Sequence, residues 1–172
     1  MIRILKQLFN VGTITEPLAE ADHEITRLSE QLTPIIRQRF AGSLAIRAVD
    51  AGSCNGCELE IHATNNAYYD IERFGIHFTA SPRFADLLLV TGPVTRNMET
   101  ALKMTFEAMP QPALVVAMGD CAANCGIFGK ENYAIAGAVS DIIPVDVVIQ
   151  GCPPTPTDII RGILTAIHDS PG

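Results

Sequence analysis

The feature that most constrains this chain is a change of rhythm after Gly42, where short apolar runs begin to alternate with longer stretches of helical periodicity. That alternation predicts repeated βα units, hence an α/β fold with an open, mainly parallel sheet and flanking helices. Ser43 to Asp50 reads as the first strand, followed by a helix over roughly Glu58 to Phe74. Gly75 to Thr79 reads as the second strand, stopped by Ser81-Pro82, and Ala85 to Thr91 as the third, stopped by Gly92-Pro93. Arg96 to Met109 reads as a helix broken at Pro110 to Pro112, Ala113 to Met118 as the fourth strand and Val145 to Gln150 as the fifth. Pro153 to Pro156 opens a last helix ending near His168, proline being favoured in a first turn. A chain 48% hydrophobic but only 6% aromatic, with no Trp, builds its core from aliphatic residues, as buried parallel strands do.

Residues 1–42 read differently, as an N-terminal amphipathic arm and helical connector ahead of the α/β domain over 43–172. Met1 to Gly12 sets Ile2, Ile4, Leu5, Leu8 and Phe9 against Arg3 and Lys6, an amphipathic pattern suited to an anionic surface, a partner's groove or the chain's own domain. From Ala19 to Phe40, Ile25, Leu28, Leu32, Ile35 and Ile36 recur at helical spacing, with Pro34 expected to break or kink the helix.

The cysteines fall in a telling place on this map. Cys54 and Cys57 follow the first strand, Cys121 the fourth and Cys152 the fifth, all just past carboxyl ends. In an open parallel sheet those ends share one edge, with a ligand crevice where the strand order reverses, so thiols distant in sequence can meet there. Cysteines that serve as small core hydrophobes are expected inside strands and helices instead. Thiolates select zinc, copper(I) or iron–sulfur clusters, and four of them suit structural zinc as well as a [4Fe-4S] cube. Zinc commonly takes two local C-x-x-C knuckles, whereas here one local pair joins two remote singletons, a dispersal that favours the cube. Gly52, Gly56, Gly119, Gly126 and Gly151 permit close backbone approach around such a group.

The strings Ala51-Gly-Ser-Cys-Asn-Gly-Cys-Glu-Leu-Glu60, Gly119-Asp-Cys-Ala122 and Gly151-Cys-Pro-Pro154 resemble the small subunit of membrane-bound, energy-converting (group 4) [NiFe] hydrogenases. The resemblance runs from about Ser43 to His168 and takes in Ser81-Pro-Arg83, Ala85-Asp86, Thr91 to Arg96 and Ile143-Pro-Val-Asp146. It places the chain in the wider superfamily of the B-type (20 kDa) subunit of complex I, where a flavodoxin-like domain holds a [4Fe-4S] centre. The resemblance implies that Cys54, Cys57, Cys121 and Cys152 ligate one [4Fe-4S] cluster proximal to a nickel–iron site. It also implies three kinds of partner: a [NiFe] hydrogenase large subunit, a ferredoxin-like iron–sulfur subunit, and integral membrane subunits that translocate ions. The expected place is peripheral, on the cytoplasmic side of the cell membrane. The rival is a quinone-reducing complex I-type B subunit, in which the first two cysteines are typically adjacent, whereas Asn55 and Gly56 separate them here. A third reading is a structural zinc domain.

Cys125 stands where related chains more often carry glycine or another small residue; it reads as a spare thiol beside the ligands, as an inert small residue or, with less weight, as a substitute ligand, and it is left outside the ligand set. No cysteine follows Cys152, so further clusters are expected on other subunits. Glu58 and Glu60 can serve as polar relays or simply as first-turn acids that suit the helix dipole. His62 reads as a hydrogen-bonding residue, and Asp120 as a charge that raises the Cys121 thiol pKa. A net charge of −7 and a pI near 5.0 exclude the basic footprint of nucleic-acid binding. No G-x-G-x-x-G, P-loop or nucleophile elbow is present, so no catalytic residue is assigned.

Overall fold

A computed structural model of the chain describes residues 23–169. The amphipathic pattern over 1–12 lies outside them. The first helix, α1 (His23–Arg39), continues through Pro34. The Thr33 hydroxyl donates to the Ser29 carbonyl at 2.9 Å in the turn that precedes the proline. Tertiary burial outweighs the proline's cost: Ile25, Leu28, Leu32 and Ile36 sink into the same core as the sheet. The segment expected as a connector thus packs on the sheet.

The strands are β1 (Leu44–Asp50), β2 (Ile76–Phe78), β3 (Leu87–Thr91), β4 (Val94–Thr95), β5 (Leu114–Met118), β6 (Ile135–Gly137) and β7 (Val147–Ile149). Five of them form one parallel sheet in the order β2-β1-β3-β5-β7. Renumbered among themselves these strands run 2-1-3-4-5, the flavodoxin-like order, with its switch point between β1 and β3. β4 and β6 pair separately as an antiparallel ribbon that the sequence pattern did not foretell.

Four more helices complete the layers: α2 (Gly56–Thr64), α3 (Arg96–Glu107), α4 (Asp120–Asn124) and α5 (Pro156–Asp169). One face of the sheet packs Leu44, Ile46, Leu87, Leu89 and Val116 against α1, α2 and α5. The other packs Val49, Leu88, Val90, Val115 and Ala117 around Leu102 of α3. The helix expected over Glu58 to Phe74 is shorter, because Asn65 caps it and the Asn66 side chain accepts the amides of Tyr68 and Tyr69, offering the backbone a turn in place of further helix. A separate 3-10 turn follows at Ile71–Phe74.

Two aspartates hold the sheet in register. Asp86, just before β3, accepts the Ala45 amide at 2.9 Å while its own amide donates to the Ala45 carbonyl. Asp146, just before β7, repeats this with Val115 at 2.7 Å. Asp86→Ala removes a charge-assisted bond to a buried strand amide and is expected to cost about 1–2 kcal/mol, seen as a lowered denaturation midpoint with unchanged m.

A third acid caps α5. Asp158 accepts from the Thr155 hydroxyl at 2.6 Å and the Thr155 amide, and it receives Arg161, which also reaches Glu24 of α1. The Thr155 hydroxyl foremost holds the Asp158 pKa below its ordinary value. A depressed carboxylate pKa stabilises above the unfolded pKa and loses that contribution as pH falls through the folded one. Asp158→Asn should therefore melt slightly earlier than the parent near neutrality, a gap that closes in strongly acidic thermal melts.

Candidate metal centre

Three loops leave the carboxyl edge of the sheet, and each brings cysteine. In the first, the Asp50 carboxylate accepts the amides of Gly52 and Ser53 at 2.8 and 2.7 Å, folding the chain back as soon as β1 ends. Asn55 then takes a left-handed conformation, φ 72°, and opens α2. That reversal leaves Cys54 exposed ahead of the helix and turns Cys57 inward from the first turn.

Glu58 ties this loop to the neighbouring strand. One carboxylate oxygen accepts the Ser53 hydroxyl at 2.5 Å, and the other accepts the hydroxyl of Thr91, the buried last residue of β3. The Ser53 hydroxyl in turn accepts the Asn55 amide at 3.0 Å. Sequence reasoning singled out Glu58 but missed Asp50, Ser53 and Thr91. The Asp50-to-Ser53 spacing carried an Asx-turn signal; Thr91 carried none, because its partner lies 33 residues away.

The second and third loops are laced together. Gly119 donates to the Ile149 carbonyl at 2.7 Å, Asp120 to the Gly151 carbonyl at 2.9 Å, and Gly151 back to the Asp120 carboxylate at 2.9 Å. Cys121 in the first turn of α4 is buried, and Cys152 past β7 is exposed. The Cys57 sulfur lies 3.9 Å from the Met118 carbonyl at the end of β5.

The thiols act on one another. Burial foremost pushes the Cys57 thiol up to about 12, with Glu58, Cys121, Cys54 and Cys152 adding to it. Cys121 is raised by burial first and then by Cys152, opposed by a hydrogen bond from the Ile127 amide; Cys54 and Asp120 add to the rise. The fold therefore brings Cys54, Cys57, Cys121 and Cys152 into one electrostatic neighbourhood.

Cys125 sits in a packing environment of its own. It is fully buried with Ile135, Ala138 and Phe128, its thiol raised by that burial, in the left-handed position that ends α4. It packs as a small hydrophobe. His62 is exposed and lines a cavity together with Arg47.

The backbone around the sulfurs leaves room that only glycine gives. A Cβ on Gly119 would stand 2.9 Å from the Cys57 sulfur, and one on Gly126 would stand 2.7 Å from that of Cys121. Both glycines have positive φ, 90° and 44°. Among the described residues, no three His, Cys, Asp or Glu side chains are spaced to grip a single metal ion. Four soft sulfur donors beside glycines that leave their sulfurs room have the donor chemistry that iron–sulfur clusters take.

Residues 54–166 match the family described as NADH ubiquinone oxidoreductase, 20 kDa subunit. The chain is 44% identical over 120 residues to the probable membrane-bound hydrogenase subunit mbhJ of Pyrococcus furiosus, spanning 70% of this chain and 71% of that one. It is 40% identical over 146 residues to formate hydrogenlyase subunit 7 of Escherichia coli, covering 85% of this chain and 55% of that longer protein. Among solved structures, a chain of the membrane-bound sulfane sulfur reductase, an archaeal respiratory membrane complex, superposes with a TM-score of 0.66 at 37% identity, over 78% of this chain and 74% of that one.

Proposed function

Because the chain belongs to the family of the 20 kDa subunit of NADH ubiquinone oxidoreductase and its hydrogenase relatives, and is thus a subunit of an oxidoreductase complex, we propose that it is the electron-transfer small subunit of a membrane-bound [NiFe] hydrogenase. Cys54, Cys57, Cys121 and Cys152 would hold one [4Fe-4S] cluster. When bound, the cluster supplies one-electron oxidation and reduction between the nickel–iron site of a large subunit and a ferredoxin-like subunit. Membrane partners would couple that flow to ion movement, with this chain peripheral on the cytoplasmic side. Among the described residues no helix is long and apolar enough to cross a membrane.

The observation that carries this reading is the first cysteine loop. Asn55 and Gly56 separate Cys54 from Cys57, the hydrogenase spacing, and the left-handed Asn55 sets one thiol outside the helix and the other within it. The chain's own residues do the rest. The Ile127 amide donates to the Cys121 sulfur, which favours a more reduced bound group. Asp50, Glu58 and Asp120 fix the loops, and Gly119 and Gly126 keep the recess open.

The 37% identity to a sulfane sulfur reductase chain favours one second reading, a sulfur-reducing complex of the same build. Nickel analysis and activity of the anaerobically purified complex separate the two. Bound nickel with hydrogen evolution from a reduced low-potential donor is the expected result. A nickel-free complex that reduces polysulfide, or quinone, and yields no hydrogen would overturn the hydrogenase assignment while leaving the cluster assignment standing.

A further inference from the structure

In the main sheet β1, β5 and β7 each end in a loop that carries cysteine, whereas β3, between β1 and β5, ends in Thr91. Among the described residues only Thr64 and Thr91 are buried polar side chains. The Thr64 hydroxyl stays within its own helix, donating to the Ile61 carbonyl at 2.7 Å. That of Thr91 leaves its strand and donates to Glu58, with the Val49 carbonyl 3.4 Å away as the weaker alternative. A hydroxyl has one proton to give, and a carboxylate is the stronger acceptor.

Glu58 is thereby clamped on both oxygens. Ser53, directly before Cys54, holds one at 2.5 Å, and Thr91 holds the other. The backbone around Thr91 is equally fixed: its carbonyl accepts the Ala51 amide at 3.0 Å, and a Cβ on Gly92 would stand 2.4 Å from the Ser53 nitrogen. The carboxylate therefore has a set place one residue from Cys57. None of the described ion pairs neutralises it, although Arg47 lines the same cavity. After burial, its charge is the largest influence raising the Cys57 thiol.

We propose that Thr91 is a positioning residue for electron transfer: it pins the Glu58 carboxylate as a fixed negative charge beside Cys57, and that charge holds the reduction potential of the bound cluster down. The inference rests on the reading of Cys54, Cys57, Cys121 and Cys152 as ligands of one [4Fe-4S] cluster. One-electron reduction, with no bond made or broken, adds one negative charge to such a group, and a fixed anion nearby opposes it. Without the Thr91 hydroxyl, one Glu58 oxygen loses its buried donor and turns to water, which carries the charge away from Cys57.

The test is a mediator-buffered redox titration of the anaerobically purified complex at one pH, with dithionite supplying the electrons and paramagnetic resonance reporting the reduced signal. Glu58→Gln keeps the shape and removes the charge. It should favour reduction at least about threefold, an upward shift of ~30 mV at about 59 mV per tenfold for one electron. Thr91→Val, which removes the hydroxyl, should shift the potential the same way by less, and Thr91→Ser, which keeps it, should give the parental value. With Glu58→Gln already present, Thr91→Val should add nothing. A merely structural Thr91 would shift the potential as much in that background as in the parent, and that result would overturn the proposal. So would a Glu58→Gln potential equal to or below the parent's. If Glu58→Gln purifies without iron, Thr91→Val against Thr91→Ser decides, and equal potentials overturn the proposal. Each of these outcomes requires a parental signal; its absence in the parent would instead sink the cluster reading itself.

Discussion

In a complex carrying Cys57→Ser, the iron held through this chain is expected to fall several-fold, and the paramagnetic signal of its reduced cluster to vanish or change form. Cys57 is buried, as Cys121 is, and its thiol is raised by that burial foremost, with the other three cysteines all acting on it. A serine hydroxyl there is a harder donor and far more reluctant to ionise than a thiol, so it cannot replace a soft thiolate at iron. The comparison variant is Cys125→Ala. That thiol packs against Ile135 and Ala138, so its loss should cost about 1 kcal/mol of stability and leave the signal as it was. If Cys125→Ala removes the signal and Cys57→Ser does not, the ligand set is wrong.

Gly119→Ala should be nearly as damaging although it touches no ligand chemically. Its Cβ would stand 2.9 Å from the Cys57 sulfur, at a backbone angle, φ 90° and ψ 159°, that L side chains avoid. The strain alone costs on the order of 1–3 kcal/mol, and the displaced sulfur should lower cluster occupancy further. Gly129→Ala separates the two effects. Gly129 has a similar backbone, φ 70° and ψ 150°, but nothing within 4 Å of the added Cβ. Both variants should melt earlier than the parent, and only Gly119→Ala should purify with depleted iron.

The five strands and their parallel arrangement were legible because apolar runs alternating with helical periods point to βα units, and each run ended at a glycine or proline. Thr91 closes β3 before Gly92-Pro93, and Met118 closes β5 before Gly119. The short ribbon of β4 and β6 was not, since two or three residues carry no period. The course of α1 through Pro34 was also hidden, because the burial of Leu32 and Ile36 that sustains it is decided by α5 and the sheet, far along the chain.

The site shows the same division. Cysteine type and place after strands pointed to a shared edge before any coordinates. The supporting bonds could not be read locally: Thr91 to Glu58 joins β3 to α2, and Gly151 to Asp120 joins two loops 31 residues apart. Cys125 illustrates the limit well. Its place in sequence, four residues after Cys121, left its role open, and the fold buries it against Ile135 and Ala138.

The most direct test of the central claim is iron and acid-labile sulfide analysis, with paramagnetic resonance of the reduced state, on the anaerobically purified complex and on Cys→Ser variants at each of the five positions. The account predicts that Cys54, Cys57, Cys121 and Cys152 each govern one and the same [4Fe-4S] signal, and that the Cys125 variant keeps it. A signal unchanged by any of those four substitutions, or a colourless chain that binds zinc and neither iron nor sulfide, would contradict it.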